Sequence, residues 1–497
     1  MKSLGYFIPE ICGGIGKCGK CKVRVSTQVT LEIDTEERKH LDEKEIENGI
    51  RLACRTPVVD KMKIWIDEPI LNSEKSIMFK QASEKIGAAI DIGTTTVVLS
   101  LVDLSNGTVI CTESTLNPQI VNGADVISRI AYTGNNTSRL KEMQELVVSA
   151  VNLLIDSALK NIANDKKCIS KVVVSGNTVM LHMFLGLDVQ SLGVFPYKTK
   201  NTEIVRKNGY ETGLNIARNG EVWILPSVSA FLGADIVSGV IETNLYGSEK
   251  ISILLDLGTN GEIVGGNKDI MIGCSTAAGP AFEGASIKCG STCVNGAIDK
   301  IFSNGKDITY TTIGNTPPKS ICGSGIVDIT AILIEKGIVL QNGRMNSKEE
   351  KDFKSLDFRI IEHDGNTAFL IAEGEPQIIF TQEDVRKVQL AKAATVTGIM
   401  MIMKRMNIDY QDIDRVYIAG NFGTFLNIEN AVKIGLIPER LRDKIVIVGN
   451  SSVNGAVKCL LESALINEAS KIQQCIQYFD IGSQEDFKEM FVENLNF

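Results

Sequence analysis

The feature that most constrains this chain is an internal echo. Gly87-Ala-Ala-Ile-Asp91-Ile-Gly93-Thr-Thr-Thr96 returns 165 positions later as Ile253-Leu-Leu-Asp256-Leu-Gly258-Thr-Asn-Gly-Glu262. A second pair follows each copy, Lys171-Val-Val-Val-Ser-Gly176-Asn177 and Arg415-Val-Tyr-Ile-Ala-Gly420-Asn421. Self-similarity of this kind marks one supersecondary unit used twice. In each copy an apolar strand ends in D-x-G-T, and a later strand ends in a small residue and Gly-Asn. From Ile86 onward, apolar strands alternate with helical patterns, which predicts an α/β fold with two related lobes. The interval from Asp91 to Gly176 is 85 residues and that from Asp256 to Gly420 is 164, so the second copy carries roughly 80 inserted residues, placed at about 299–380.

The remaining organisation follows from length and composition. At about 150 residues per domain, 497 residues suggest roughly three domains, and 44% hydrophobic residues suffice for sizeable cores. We divide the chain into a cysteine-rich segment at 1–70, a polar linker at 71–85, a first lobe at 86–250 and a second at 251–497. The net charge of -8 opposes nucleic-acid binding, which needs a basic footprint. No apolar run reaches membrane-spanning length and the N-terminus lacks a signal peptide's apolar centre, so a soluble, cytoplasmic protein without membrane contact is expected.

One third of the twelve cysteines lie in the first 54 residues, as Cys12-x5-Cys18-x2-Cys21 and, 32 residues further on, Cys54. The plant-type ferredoxin pattern is C-x4-C-x2-C with a distant fourth cysteine, so this spacing is one residue longer in its first interval. Glycines 13, 14, 16 and 19 let such a loop wrap a 2Fe-2S cluster and aim amides at its sulfurs. A zinc site is the plainer alternative, but zinc ribbons pair two C-x2-C knuckles and here there is one.

An aspartate at a strand end followed by glycine and threonines makes a hairpin whose amides and hydroxyls can cradle phosphate, while the carboxylate orients hydrated magnesium. Two copies resemble the acetate and sugar kinase, heat-shock chaperone and actin superfamily, whose two lobes close on one nucleotide. By that resemblance Asp91 with Gly93, Thr94, Thr95 and Thr96 forms the first phosphate loop, and Asp256 with Gly258, Thr259, Asn260 and Gly261 the second. Gly176 and Asn177 form the first Gly-Asn turn; Gly420, Asn421 and Gly423 form the adenosine loop, which lacks the superfamily's usual Gly-Gly pair. The segment Val448 to Ala456 corresponds to a connecting helix. The bland reading is that these glycines only turn hairpins.

A ferredoxin segment joined to such an ATPase, together with the motifs at 225–237, 277–285, 321–328 and 381–394, resembles the reductive activators of corrinoid proteins over Pro9 to about Leu460. The resemblance implies an N-terminal β-grasp ferredoxin segment, truncated at eleven residues before the first cysteine, and an actin-like ATPase. It implies that ATP, Mg2+ and a 2Fe-2S cluster serve the one-electron reduction of cob(II)alamin to cob(I)alamin for methyl transfer. The expected partners are a corrinoid protein or corrinoid-dependent methyltransferase and a low-potential electron donor, with a homodimer left open. Two other readings share parts of the pattern: an activator ATPase of the 2-hydroxyacyl-CoA dehydratase type, whose cluster cysteines lie inside the ATPase lobes, and an electron-transfer ferredoxin regulated by nucleotide. A small-molecule kinase is weaker, since no phosphoryl acceptor is specified.

Glu262 and Glu283, in Gly-rich stretches of the second half, are candidates to order the attacking water or hydrated magnesium; the plainer reading is that each caps a nearby turn. Cys274, Cys289, Cys293 and Cys322 lack neighbouring histidines and read as small buried residues, His40, His182 and His363 receive no role, and Met400, Met401 and Met403 read as core of a helix beginning near Glu383.

Overall fold

The computed structural model describes residues 21–27, 33–57, 62–65, 85–162, 168–258, 260–279, 281–348 and 356–497. Cys12, Cys18, Thr259 and nearly all of the expected linker lie outside them. The chain forms two compact units: Met1–Val172, Val179–Asn201 and Lys207–Val222 make one, and Val173–Thr178, Thr202–Arg206 and Trp223–Phe497 the other.

Near the N-terminus, strand Lys22–Ser26 lies between Ile50–Leu52 and Lys63–Trp65 in an antiparallel sheet. Its alternation of charged and β-branched residues sends Val23 and Val25 inward, where they meet Cys21, Leu41 and Leu52 in a small core. Helix Glu43–Glu47 begins on a capping box, with Asp42 accepting from Glu45 N and Glu45 accepting from Asp42 N.

Each copy of the sequence echo generates a six-stranded sheet. The first has the order Val109–Leu116, Thr96–Asp103, Ile86–Ile92, Ile169–Gly176, Glu221–Ile224, Val205–Asn208. The second has the order Ile445–Gly449, Ile413–Ala419, Ile251–Leu257, Gly261–Gly266, Met271–Thr276, Ile476–Tyr478. In both, the D-x-G-T turn closes an antiparallel hairpin whose second strand pairs with a third. The first strand of the second hairpin also pairs in parallel with Ile413–Ala419, the strand that leads into Gly420-Asn421. Near-continuous apolar runs such as Ile253-Leu-Leu are what a strand buried on both faces requires.

The inserted region contributes two three-stranded sheets, one from Ala297–Ser303, Ile308–Thr312 and Ser320–Ile321, the other from Ile360–His363, Asn366–Ala372 and Ile378–Thr381. Helix Gln382–Met406 follows, opened by a Thr381–Asp384 capping box, and its Met401 and Met403 are buried in the core, as their helical spacing predicts. Helix Ser451–Leu461, capped by Asn450, packs on Ala234–Thr243. The approach is close enough that a Cβ on Gly455 would fall 2.1 Å from the Ser238 carbonyl oxygen. Among the described residues no helix is long and apolar enough to cross a membrane.

Candidate functional site

Cys21 immediately precedes the central strand of the N-terminal sheet, and Cys54 follows the strand paired with it. Their sulfurs lie 3.3 Å apart, too far for a disulfide, and Ala53 N donates to the Cys21 carbonyl. A buried ion pair sets this register. Glu37 accepts from Arg51 Nε at 2.9 Å, Arg51 Nη2 at 2.7 Å and Leu52 N at 2.7 Å, which anchors the strand that delivers Cys54. Two facing thiols not joined by a disulfide suit ligands of one cluster; the other two expected ligands lie outside the described residues.

The second hairpin gathers carboxylates. Asp256 and Glu262 are direct partners across the antiparallel pair, so their side chains share a face. In the first hairpin the partner of Asp91 is Val98, which makes the acidic pair a property of the second copy alone. Asp235, in the first turn of helix Ala234–Thr243, adds a third charge. Burial, then Asp235, then Asp256 raise the Glu262 carboxyl well above the usual range. Among the described residues no three His, Cys, Asp or Glu side chains are placed to ligate a metal ion directly.

Both Gly-Asn turns are held close to this group within the second unit. Gly420 adopts a φ of +93°, and a Cβ there would lie 3.0 Å from Asp256 Oδ1 and 2.7 Å from the Leu257 carbonyl. Glycine is therefore required where the adenosine-loop candidate meets the end of the Asp256 strand. On the other side, a Cβ on Gly233 would come within 2.6 Å of the Gly176 carbonyl and 2.8 Å of Thr178 N, which sets Gly176-Asn177 against the segment carrying Asp235. The second turn is closed by Gly258 N donating to Asn260 O, and Gly261 opens the next strand. In the first loop, Gly93 N donates to Thr96 O at 3.0 Å. Glu283 is half-buried in the turn ending at Gly284, which has a φ of +75°.

The sequence reading left Asp235 out of the candidate set. No local pattern distinguishes it from a helix-capping residue; only the fold brings it beside Glu262. The cysteines also divide differently from expectation. Cys274 is buried, which raises its thiol, as a small core residue would be. Cys322 is buried too, its Sγ donating to the Ile298 carbonyl at 3.4 Å and lying 3.5 Å from Ser324 Oγ, whereas Cys293 is only half-buried.

Three family descriptions match in succession: the 2Fe-2S iron-sulfur cluster binding domain at residues 1–59, the RACo middle region at 86–248, and the C-terminal domain of RACo, the ASKHA domain, at 250–497. The corrinoid activation enzyme RamQ of Eubacterium limosum is 34% identical over 438 residues, covering 86% of this chain and 74% of that protein. The chain belongs to the reductive activators of corrinoid proteins. A solved reductive activator for a corrinoid, iron-sulfur protein superposes with a TM-score of 0.76 at 31% identity, covering 100% of this chain and 95% of the other. A Methanosarcina barkeri protein named as a reductase of a Co(II) methylated amine-specific corrinoid protein is 22% identical, covering 83% and 77%. Membership in this family agrees with the resemblance drawn from the echo, the cysteine spacing and the linking motifs. It also fixes the class as an N-terminal 2Fe-2S segment with an actin-like α/β ATPase.

Proposed function

We propose that this chain is an ATP-dependent activator that returns the cob(II) form of a corrinoid protein to cob(I), with a low-potential donor supplying the electron. The observation that carries this reading is the coexistence in one chain of the facing Cys21 and Cys54 thiols and the Asp235, Asp256 and Glu262 group beside two Gly-Asn turns. Cys12, Cys18, Cys21 and Cys54 would hold a 2Fe-2S cluster, which supplies one-electron transfer near about -400 mV.

On this reading Asp91 and Asp256 would orient the hydrated Mg2+ of ATP, and the loops at Gly93 to Thr96 and Gly258 to Gly261 would take its phosphates. Gly420 to Gly423 contacts the adenosine. Glu262, whose carboxyl is raised by burial and by the neighbouring Asp235 and Asp256, would order the attacking water; Glu283 is the alternative for that task. An acceptor roughly 100 to 200 mV below the donor costs about 2.4 to 4.8 kcal/mol per electron, within reach of a conformational equilibrium biased by nucleotide.

The test follows the cob(II) absorption of the cognate corrinoid protein under a low-potential reductant, with and without MgATP. Faster reduction with ATP is expected. Equal rates would reject the reading in favour of a plain electron-transfer module.

A further inference from the structure

The first phosphate loop has all four of its carbonyls tied down. Gly93 O accepts from Asn117 Nδ2 at 2.8 Å, Thr94 O from Arg129 Nη2 at 2.6 Å, Thr95 O from Asn117 N at 2.8 Å, and Thr96 O from Gly93 N at 3.0 Å. The bonds within this loop are trans, since cis peptides are confined to Phe195-Pro196 and Glu375-Pro376 among the described residues. In a planar trans peptide the N–H points opposite to the carbonyl of the preceding residue. The amides of Thr94 and Thr95 are thereby turned away from Asn117 and Arg129, in the sense needed to meet an anion on the far side of the loop.

Arg129 is an unusual residue for this task. It is fully buried, and its guanidinium reaches Gly123 O through Nε at 2.9 Å and Met180 Sδ through Nη1 at 3.0 Å. Among the described residues no carboxylate forms an ion pair with it; the charge that supports it comes from Asp125, whose Oδ1 caps Ser128 N at 2.7 Å. Burial pushes the guanidinium down to about 9, still protonated at neutral pH. A buried cation without a paired carboxylate is costly to keep. Here it stands behind a peptide whose other end faces the expected phosphate, so cation, carbonyl, amide and anion would form one aligned chain of charge-assisted hydrogen bonds.

We infer that Arg129 is the positioning residue of the first phosphate loop, fixing the Thr94–Thr95 peptide so that its amide meets a nucleotide's phosphate and its charge attracts that phosphate from behind. This deepens the nucleotide reading above and rests on it. The test measures affinities of the full-length protein for MgATP, MgADP and adenosine by calorimetry, alongside thermal melts without ligand, for wild type, Arg129→Met and Arg129→Lys. Arg129→Met should weaken both nucleotides about tenfold or more while leaving adenosine unchanged; Arg129→Lys, which keeps the charge but not the fork, should lose about threefold. Affinities equal to wild type in Arg129→Met, or equal losses for adenosine and ATP, would overturn the inference. If Arg129→Met does not fold, the lysine variant decides by the same comparison: weaker ATP binding with unchanged adenosine supports the role, and wild-type ATP affinity overturns it. Failure of wild type to bind MgATP is a different outcome, which removes the nucleotide reading and this inference with it.

Discussion

The ring of Phe422 stacks on that of Phe282, with centroids 5.1 Å apart and planes inclined by 18°. Gly323 makes room for the contact: a Cβ there would fall 1.9 Å from the Phe282 carbonyl oxygen and 2.7 Å from Phe422 Cδ2. Three motifs far apart in sequence, around Phe282, Gly323 and Gly420, thus meet at one point in the second unit. Phe422 belongs to the adenosine-loop candidate, so packing that orders its ring also orders the turn beside Asp256. Gly323→Ala should force the Phe282 backbone to move, lowering stability by about 1 to 3 kcal/mol and weakening ATP binding. Denaturant melts and nucleotide titration check this, and a variant that melts and binds as wild type would show that the stack does not constrain the loop.

How much of this could be read from the chain depends on the range of the interactions. The echo at Asp91 and Asp256 was legible because apolar periodicity and turn residues are local, and both hairpins form where the pattern places them. The fixed two-residue alternation of strands then places Glu262 on the same face as Asp256. Asp235, Asn117 and Arg129 were not legible. Each acts through a contact 20 or more residues away that leaves no local spacing, and a buried arginine bonded to carbonyls has no signature in composition.

The N-terminal segment should depend on the ion pair of Glu37 with Arg51. Glu37→Gln removes the carboxylate that the buried Arg51 guanidinium bonds through two nitrogens, a loss of about 3 to 5 kcal/mol. The full-length variant should lose iron and the visible bands of a 2Fe-2S centre while keeping ATP hydrolysis, matching Cys18→Ser and Cys21→Ser. Wild-type protein should reconstitute to about two irons and two sulfides per chain. One tightly bound zinc and no reconstitutable iron would exclude the cluster; a normal spectrum in Glu37→Gln would exclude the role of the pair.

Lys392 gives the stability curve a predictable slope. It lies buried in helix Gln382–Met406, donates to Asn496 O and faces the Phe497 ring at 5.6 Å, and burial pushes its ammonium down to about 8. The unfolded chain keeps this proton to about pH 10.4. Between those values the unfolded state binds more protons than the folded state, so stability rises with pH through the window and is lost as pH falls through about 8. The full difference is at most about 3 kcal/mol. Denaturant titrations at several pH values should show this rise in wild type, and Lys392→Met should flatten it. Parallel curves for the two proteins would mean that Lys392 keeps its ordinary acidity.

Coupling between the two chemistries is what separates an activator from a ferredoxin carrying a nucleotide sensor. If ATP shifts a conformational equilibrium that the corrinoid partner also senses, then the partner must shift nucleotide binding by the same factor, because coupling free energies are reciprocal. The cognate corrinoid protein should therefore tighten nucleotide binding and stimulate hydrolysis, and a non-hydrolysable analogue should stall reduction after at most one turnover. Asp256→Ala should abolish hydrolysis and ATP-accelerated cobalt reduction while leaving the visible spectrum intact. Cys54→Ser should do the reverse, losing the spectrum and the reduction while retaining hydrolysis. Survival of hydrolysis in both Asp91→Ala and Asp256→Ala would place the nucleotide elsewhere. Hydrolysis indifferent to the partner, with reduction indifferent to ATP, would leave the two halves chemically independent.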